Sequence, residues 1–113
     1  MRNFGNYNMF LDDERFPPEL LKDGRDWVIV RTSEAAMLTI RQLGIPNFIS
    51  FDHDLGGDDT AMKFLHDFIA FSMDFNTDFP KDYYVHSQNP IGRDNIKSLM
   101  DSYIKVKYGP HAD

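Results

Sequence analysis

The sequence predicts an α/β fold, a short parallel sheet packed with helices, on three observations. Four short runs rich in β-formers alternate with segments whose apolar residues recur at three- and four-residue spacing. Glycine, proline or a capping residue punctuates the changes from one pattern to the other. Each apolar run also ends in polar or ionisable residues. Strands alternating with helices imply parallel βαβ units with right-handed crossovers, which predicts the spatial strand order 2-1-3-4.

Residues Tyr7 to Leu11 form the first expected strand, closed by Asp12-Asp13-Glu14-Arg15. Phe16-Pro17-Pro18 breaks the backbone, and Pro18 suits the start of a short helix through Lys22 that ends at Asp23-Gly24. Trp27 to Val30 reads as the second strand, with Arg31 at its end. Thr32 or Ser33 can cap the next helix, whose buried face is Ala36, Ile40 and Leu43. Gly44 then takes the C′ position, with Pro46 just beyond.

Phe48 to Phe51 is the third strand, and it runs straight into Asp52, His53, Asp54 and the pair Gly56-Gly57. Taken alone, that stretch suits a polar turn, with Asp54 capping a helix and the glycines supplying positive φ. Asp58 or Asp59 is the expected cap of a helix over Thr60 to Ser72, with Ala61, Phe64, Leu65, Phe68 and Ile69 as its apolar stripe. His66 falls off that stripe and reads as a solvated surface residue. The segment from Asp74 to Asp82 is an expected loop held down by Phe75 and Phe79. Tyr83 to Val85 is the fourth strand, followed by His86-Ser87-Gln88-Asn89. Asn89-Pro90 opens the last helix, with Ile96, Leu99, Met100 and Tyr103 inward and Gly109-Pro110 as its end.

The chain has 113 residues, 42% of them hydrophobic and ten of them Phe, enough for one domain over residues 1–113 with an aromatic core. A net charge of -6 argues against a protein that coats duplex DNA, while leaving room for one nucleotide or RNA end held by local arginines. There is no cysteine, so disulfide and thiolate chemistry are excluded. The opening residues contain no apolar leader, and no run is long enough to span a membrane. The expectation is a soluble, cytoplasmic protein without a membrane partner.

In a parallel sheet, ligands sit outside the carboxyl ends of the strands. Asp12, Asp13, Arg31, Asp52, His53, Asp54, His86 and Ser87 would therefore share one edge. Clustered carboxylates cost several kcal/mol to bury together unless something compensates them, and they invite a hard cation such as Mg²⁺. The alternative for Asp12-Asp13 is capping of the short helix. Two histidines from different strands suit a shared proton-transfer role, one activating water and the other protonating a leaving oxygen. Arg15 and Arg31 match a phosphate, as does the helix start at Asn89. No GxGxxG or Walker-type loop is present, which disfavours the nucleotide enzymes built on them.

This pattern resembles the acid pocket of response-regulator receiver domains. By that resemblance Asp12 and Asp13 match the metal-binding pair, Asp52 the phosphoacceptor, and Ser87 the Ser or Thr after strand four. The chain departs from receivers in having no fifth strand with its lysine, since Lys105 and Lys107 lie within the last helix, and phosphorelay is therefore not expected. It also has Gly57-Asp58-Asp59-Thr60 where receivers place a glycine before the third helix.

Leu11-Asp12-Asp13-Glu14-Arg15, Phe51-Asp52-His53-Asp54-Leu55-Gly56 and Val85-His86-Ser87-Gln88-Asn89-Pro90-Ile91-Gly92 more closely resemble the motifs of cyclic-phosphate processing receiver domains, from about Met9 to Tyr103. That resemblance implies a compact, receiver-like (flavodoxin-like) three-layer domain lacking the fifth strand. It implies a phosphoesterase acting on a cyclic phosphate of a nucleotide or RNA end, in RNA repair or virus–host conflict. The expected catalytic residues are His53, His86, Asp52 and Asp54. Arg15, Arg31, Ser87 and Asn89 are expected to bind the substrate, and Asp12, Asp13 and Asp52 either to hold Mg²⁺ or to orient the histidines. The rival expectation is a non-enzymatic module of the same fold that binds a nucleotide or a protein partner.

Overall fold

The computed structural model describes residues 4–17 and 26–109. Its elements run β1 (Tyr7–Leu11), β2 (Asp26–Val30), α1 (Ser33–Leu43), β3 (Phe48–Phe51), α2 (Ala61–Phe75), β4 (Asp82–Val85) and α3 (Pro90–Tyr108). The four strands form one sheet, all pairs parallel, in the order β2-β1-β3-β4. Right-handed crossovers from β2 to β3 and from β3 to β4 travel in the same direction across the sheet, so their helices share a face. Accordingly α1, α2 and α3 pack side by side over Met9, Leu11, Val30, Ile49, Phe51 and Val85. The short helix expected over Pro18 to Lys22 lies outside the described residues, as does the tail His111-Ala112-Asp113.

Aromatic rings fill the helix-side core. Phe64 stacks on Phe68 at 5.5 Å between centroids, Phe68 meets Phe79 at 4.6 Å, and Phe79 meets Tyr103 edge-on at 4.8 Å. Each fully buried ring contributes about 1.5–3 kcal/mol of transfer free energy.

The helix boundaries follow from their caps. Thr32 caps α1 by accepting from the Ala35 amide, and Asn89 caps α3 by accepting from the Gly92 amide at 3.0 Å. The expected cap of α2, Asp58 or Asp59, is corrected to Thr60, whose hydroxyl accepts from the Lys63 amide. Asp59 instead reaches across to α1, where Oδ2 accepts from the Ser33 amide at 2.8 Å. A side chain from one helix start thus satisfies an amide at another, a use that local sequence spacing does not reveal. Helix α2 also runs past Ser72 to Phe75, because Asn76 takes the left-handed conformation (φ 50°, ψ 52°) that ends it. Phe75 is consequently on the helix and 58% exposed, so of the two expected anchors only Phe79 tucks the following loop down, together with the buried Thr77. Leu43, expected on the buried face of α1, is also exposed.

Candidate active site

Asp12, Arg31, Asp52 and His86 are each the first residue after β1, β2, β3 and β4. Backbone hydrogen bonds carry the sheet one step further: the Asp12 amide donates to Val30 O, that of Asp52 to Leu11 O, and that of His86 to Phe51 O. Side chains alternate along a strand. Asp12, Asp52 and His86 therefore continue the faces of Phe10, Ser50 and Tyr84, opposite the helix-packed face.

Asp12 is fully buried and well supplied with donors. Its Oδ1 accepts from the amides of Glu14 and Arg15, both at 2.9 Å, and its Oδ2 accepts from His86 Nε2 at 2.9 Å. Burial works against its charge, but the two amides and the His86 ring outweigh it and hold the carboxyl below the usual range. Asp52 is shifted the other way. Burial and the neighbouring Asp12 carboxylate raise it, and the His53 amide, His86 and Arg15 offset this only in part.

One carboxylate oxygen each from Asp12, Asp13 and Asp52 lies within 4.8 Å of the others. Three hard oxygen donors with no sulfur or nitrogen among them suit a hard divalent cation. The raised Asp52 supports the fit, since a cation there would relieve the repulsion from Asp12. The expected metal residues thus come together.

The two histidines are built differently. His86 has both ring nitrogens engaged, Nε2 with Asp12 and Nδ1 with Ser50 Oγ at 2.8 Å, and its ring stacks flat on Phe10 at 4.7 Å between centroids. Among the described residues His53 engages only Nδ1, with Asp54 Oδ1 at 2.9 Å. This bond lowers the Asp54 carboxyl against a small opposing effect of burial, with help from the Asn89 side chain. Among the described residues, no hydrogen bond or ring contact joins His53 to His86.

The loop after His53 closes on itself. An isolated bridge pairs Asp54 with Thr60, the Ala61 amide donates to His53 O at 2.8 Å, and Gly56 and Gly57 take positive φ (89° and 57°) at the turn. On the other side α3 presses its first turn against the His53 ring. A Cβ on Gly92 would lie 2.5 Å from Cδ2 and 2.9 Å from Cβ of His53. Gly92 is thus what lets ring and helix start meet.

Of the expected substrate-binding residues, Arg15 is the accessible cation. Its side chain is 49% exposed, with Nε 4.0 Å from Asp12 Oδ2. Arg31 is turned inward instead: Nη1 donates to the carbonyls of Asp12 (3.0 Å) and Arg15, and the guanidinium covers the Phe16 ring at 4.8 Å. It shapes the acid loop. Ser87 is buried, and its Oγ accepts from the Asn89 amide at 3.1 Å. His66 is exposed on α2, away from these groups, as its position off the stripe implies.

Sequence reasoning passed over Ser50 and the packing role of Gly92. A hydroxyl in the run Phe48-Ile49-Ser50-Phe51 was the available signal, because a polar atom in a buried strand needs a partner.

The family model of the cyclic-phosphate processing receiver domain matches residues 7–102. The chain belongs to that family. Comparison with curated proteins and with solved structures finds no match. The family's description ties the domain to cyclic-phosphate processing, and the parallel sheet with its acid cluster agrees with a receiver-like fold. Among the described residues, no helix is long and apolar enough to cross a membrane.

Proposed function

We propose that this receiver-like domain is a phosphoesterase that opens a 2′,3′-cyclic phosphate on a nucleotide or RNA end and leaves a phosphomonoester. The pairing of His53 with Asp54 beside the three-carboxylate cluster carries this reading. An ionised carboxylate accepts only, so Asp54 fixes the proton of neutral His53 on Nδ1 and leaves a lone pair on Nε2. That is the state a general base needs.

In the proposed reaction, His53 Nε2 takes a proton from the attacking water as its oxygen bonds to phosphorus. The P–O bond to one ribose oxygen breaks, and that oxygen takes a proton from solvent at the open site. His53 then returns its proton to solvent, so the balance is one water added across one ester bond. Arg15 and the Ile91 amide in the first turn of α3 hold the phosphate. Asp12, Asp13 and Asp52 are the residues that would hold Mg²⁺. When bound, that ion would offset charge on the phosphoryl and departing oxygens. In place of a shared acid–base role, we assign proton transfer to His53 and the orientation of Asp12 to His86. RNA repair or virus–host conflict, in the cytoplasm, is the setting such a reaction fits.

The test is His53→Ala with a 2′,3′-cyclic nucleotide as substrate. Loss of a general base lowers turnover by about 10²–10⁴-fold, and binding of a non-hydrolysable analogue persists. Undiminished turnover in His53→Ala would remove the assignment. A parent protein that binds the nucleotide stoichiometrically and returns it unchanged would favour the binding module, a reading to which the fully engaged His86 ring also lends itself.

A further inference from the structure

Ser50 has no assigned part in the site, yet it is fully buried two residues before Asp52 on β3 and beside the strand that leads to Asp12. It sits in register between Phe10 on β1 and Tyr84 on β4. The His86 ring lies across this row, flat against Phe10, and reaches Ser50 Oγ with Nδ1 and Asp12 Oδ2 with Nε2. One imidazole therefore links the ends of three strands.

The hydrogen-bond chemistry gives this chain a direction. Asp12 Oδ1 accepts from the amides of Glu14 and Arg15, and its Oδ2 is the acceptor facing His86 Nε2, so Nε2 carries hydrogen. In the neutral ring Nδ1 then has a lone pair, and the partner there must donate. Ser50 supplies the one O–H that Nδ1 meets among the described residues.

We propose that Ser50 is a positioning residue for the acid cluster, holding the His86 ring where its Nε2 meets Asp12 and thereby fixing the carboxylate of Asp12. Without the hydroxyl, Nδ1 is a part-buried acceptor with no donor among the described residues, and one of the two hydrogen bonds that fix the ring is lost. Asp12 keeps its two backbone donors but loses the fixed direction of Oδ2. Groups that orient a metal-ligating side chain typically matter by 10- to 100-fold in metal affinity. The proposal extends the role given to His86 above, and its first readout depends on neither metal nor turnover.

The experiment is ¹⁵N NMR of the imidazole nitrogens in the full chain, at about pH 9, well above the ordinary imidazole pKa of about 6.5. The same preparations are titrated with Mn²⁺, followed by electron paramagnetic resonance. The expected result is an Nε2–H ring in both proteins, with the Nδ1 resonance displaced by its hydrogen bond in the wild type and moved to the position of an unbonded acceptor in Ser50→Ala. Mn²⁺ affinity should fall by about 10-fold or more in Ser50→Ala and be restored in Ser50→Thr, which keeps the hydroxyl. A wild-type ring protonated at Nδ1 would overturn the proposal without any variant. So would a Ser50→Ala protein whose Nδ1 resonance and Mn²⁺ affinity both match the wild type. If the wild type binds no Mn²⁺, the metal part of the functional reading fails, and the Nδ1 resonance still decides the role of Ser50.

Discussion

Replacing Gly92 with alanine tests whether the position of His53 matters. The added methyl would stand 2.5 Å from His53 Cδ2, against an ordinary carbon–carbon contact of about 3.5–4.0 Å. The atoms it meets, Cβ, Cγ and Cδ2, belong to the fixed end of the side chain, so the ring must retreat by roughly 1 Å or the start of α3 must lift. Gly92 does not have a positive φ, so the backbone itself accepts alanine. Helix propensity favours the change by about 1 kcal/mol, and overpacking opposes it by about 1–3 kcal/mol. The net stability change is therefore small, at most about 2 kcal/mol. Catalysis is far more sensitive, because a misplacement of about 1 Å can cost 10²-fold. The assay is hydrolysis of a 2′,3′-cyclic nucleotide, with a thermal melt to establish that the variant is folded. Gly92→Ala is expected to melt within about 10 °C of wild type and to lose about 10²-fold in turnover. A folded variant with wild-type turnover would refute the reasoning from His53 geometry.

Further expectations concern the acids and the exposed His66. Asp59→Ala should destabilise by about 0.5–2 kcal/mol, the usual worth of a helix-start cap. Burial opposes the Asp59 charge, but bonds from the Ser33 side chain and amide, with smaller help from Lys63 and the Thr60 amide, lower its pKa overall. Its contribution is therefore complete above the unfolded carboxylate pKa of about 3.9 and fades as pH falls through the lower folded value. Urea melts of the two proteins should differ at neutral pH and converge in acid; a constant difference would contradict the cap. Mg²⁺ at ten times its Kd should stabilise the fold by about 1.4 kcal/mol, seen as a melting-temperature rise that Asp52→Ala abolishes. An unchanged midpoint in millimolar Mg²⁺ would leave the carboxylates without a metal role. His66→Ala should match wild type in both turnover and stability, and a large loss of activity would show that the site extends to α2.

Much of this arrangement is legible in the amino-acid sequence, for identifiable reasons. Strand β3 can be read to the residue because Gly44 and Pro46 close what precedes it and Asp52 ends it. Helix α3 can be read because Asn89-Pro90 and Gly109 mark both ends. The grouping of Asp12, Asp52 and His86 follows from topology, since each stands one residue past a parallel strand. What the sequence hides is contact at long range. Asp59 looks like a cap for its own helix, and only the packing of α1 beside α2 shows that it serves Ser33. The two histidines look equivalent as letters. Their difference lies in partners 36 and 74 residues away for His86, against a neighbour for His53. Arg31 likewise reads as a free rim cation until the carbonyls of Asp12 and Arg15 are seen to claim it.

The most direct test of the central claim is ³¹P NMR of the wild-type protein with excess 2′,3′-cyclic nucleotide and Mg²⁺. The account predicts a phosphomonoester resonance that grows well past one equivalent of protein and is nearly absent with His53→Ala. A cyclic phosphate that binds and stays intact, or turnover that His53→Ala leaves unchanged, would contradict it.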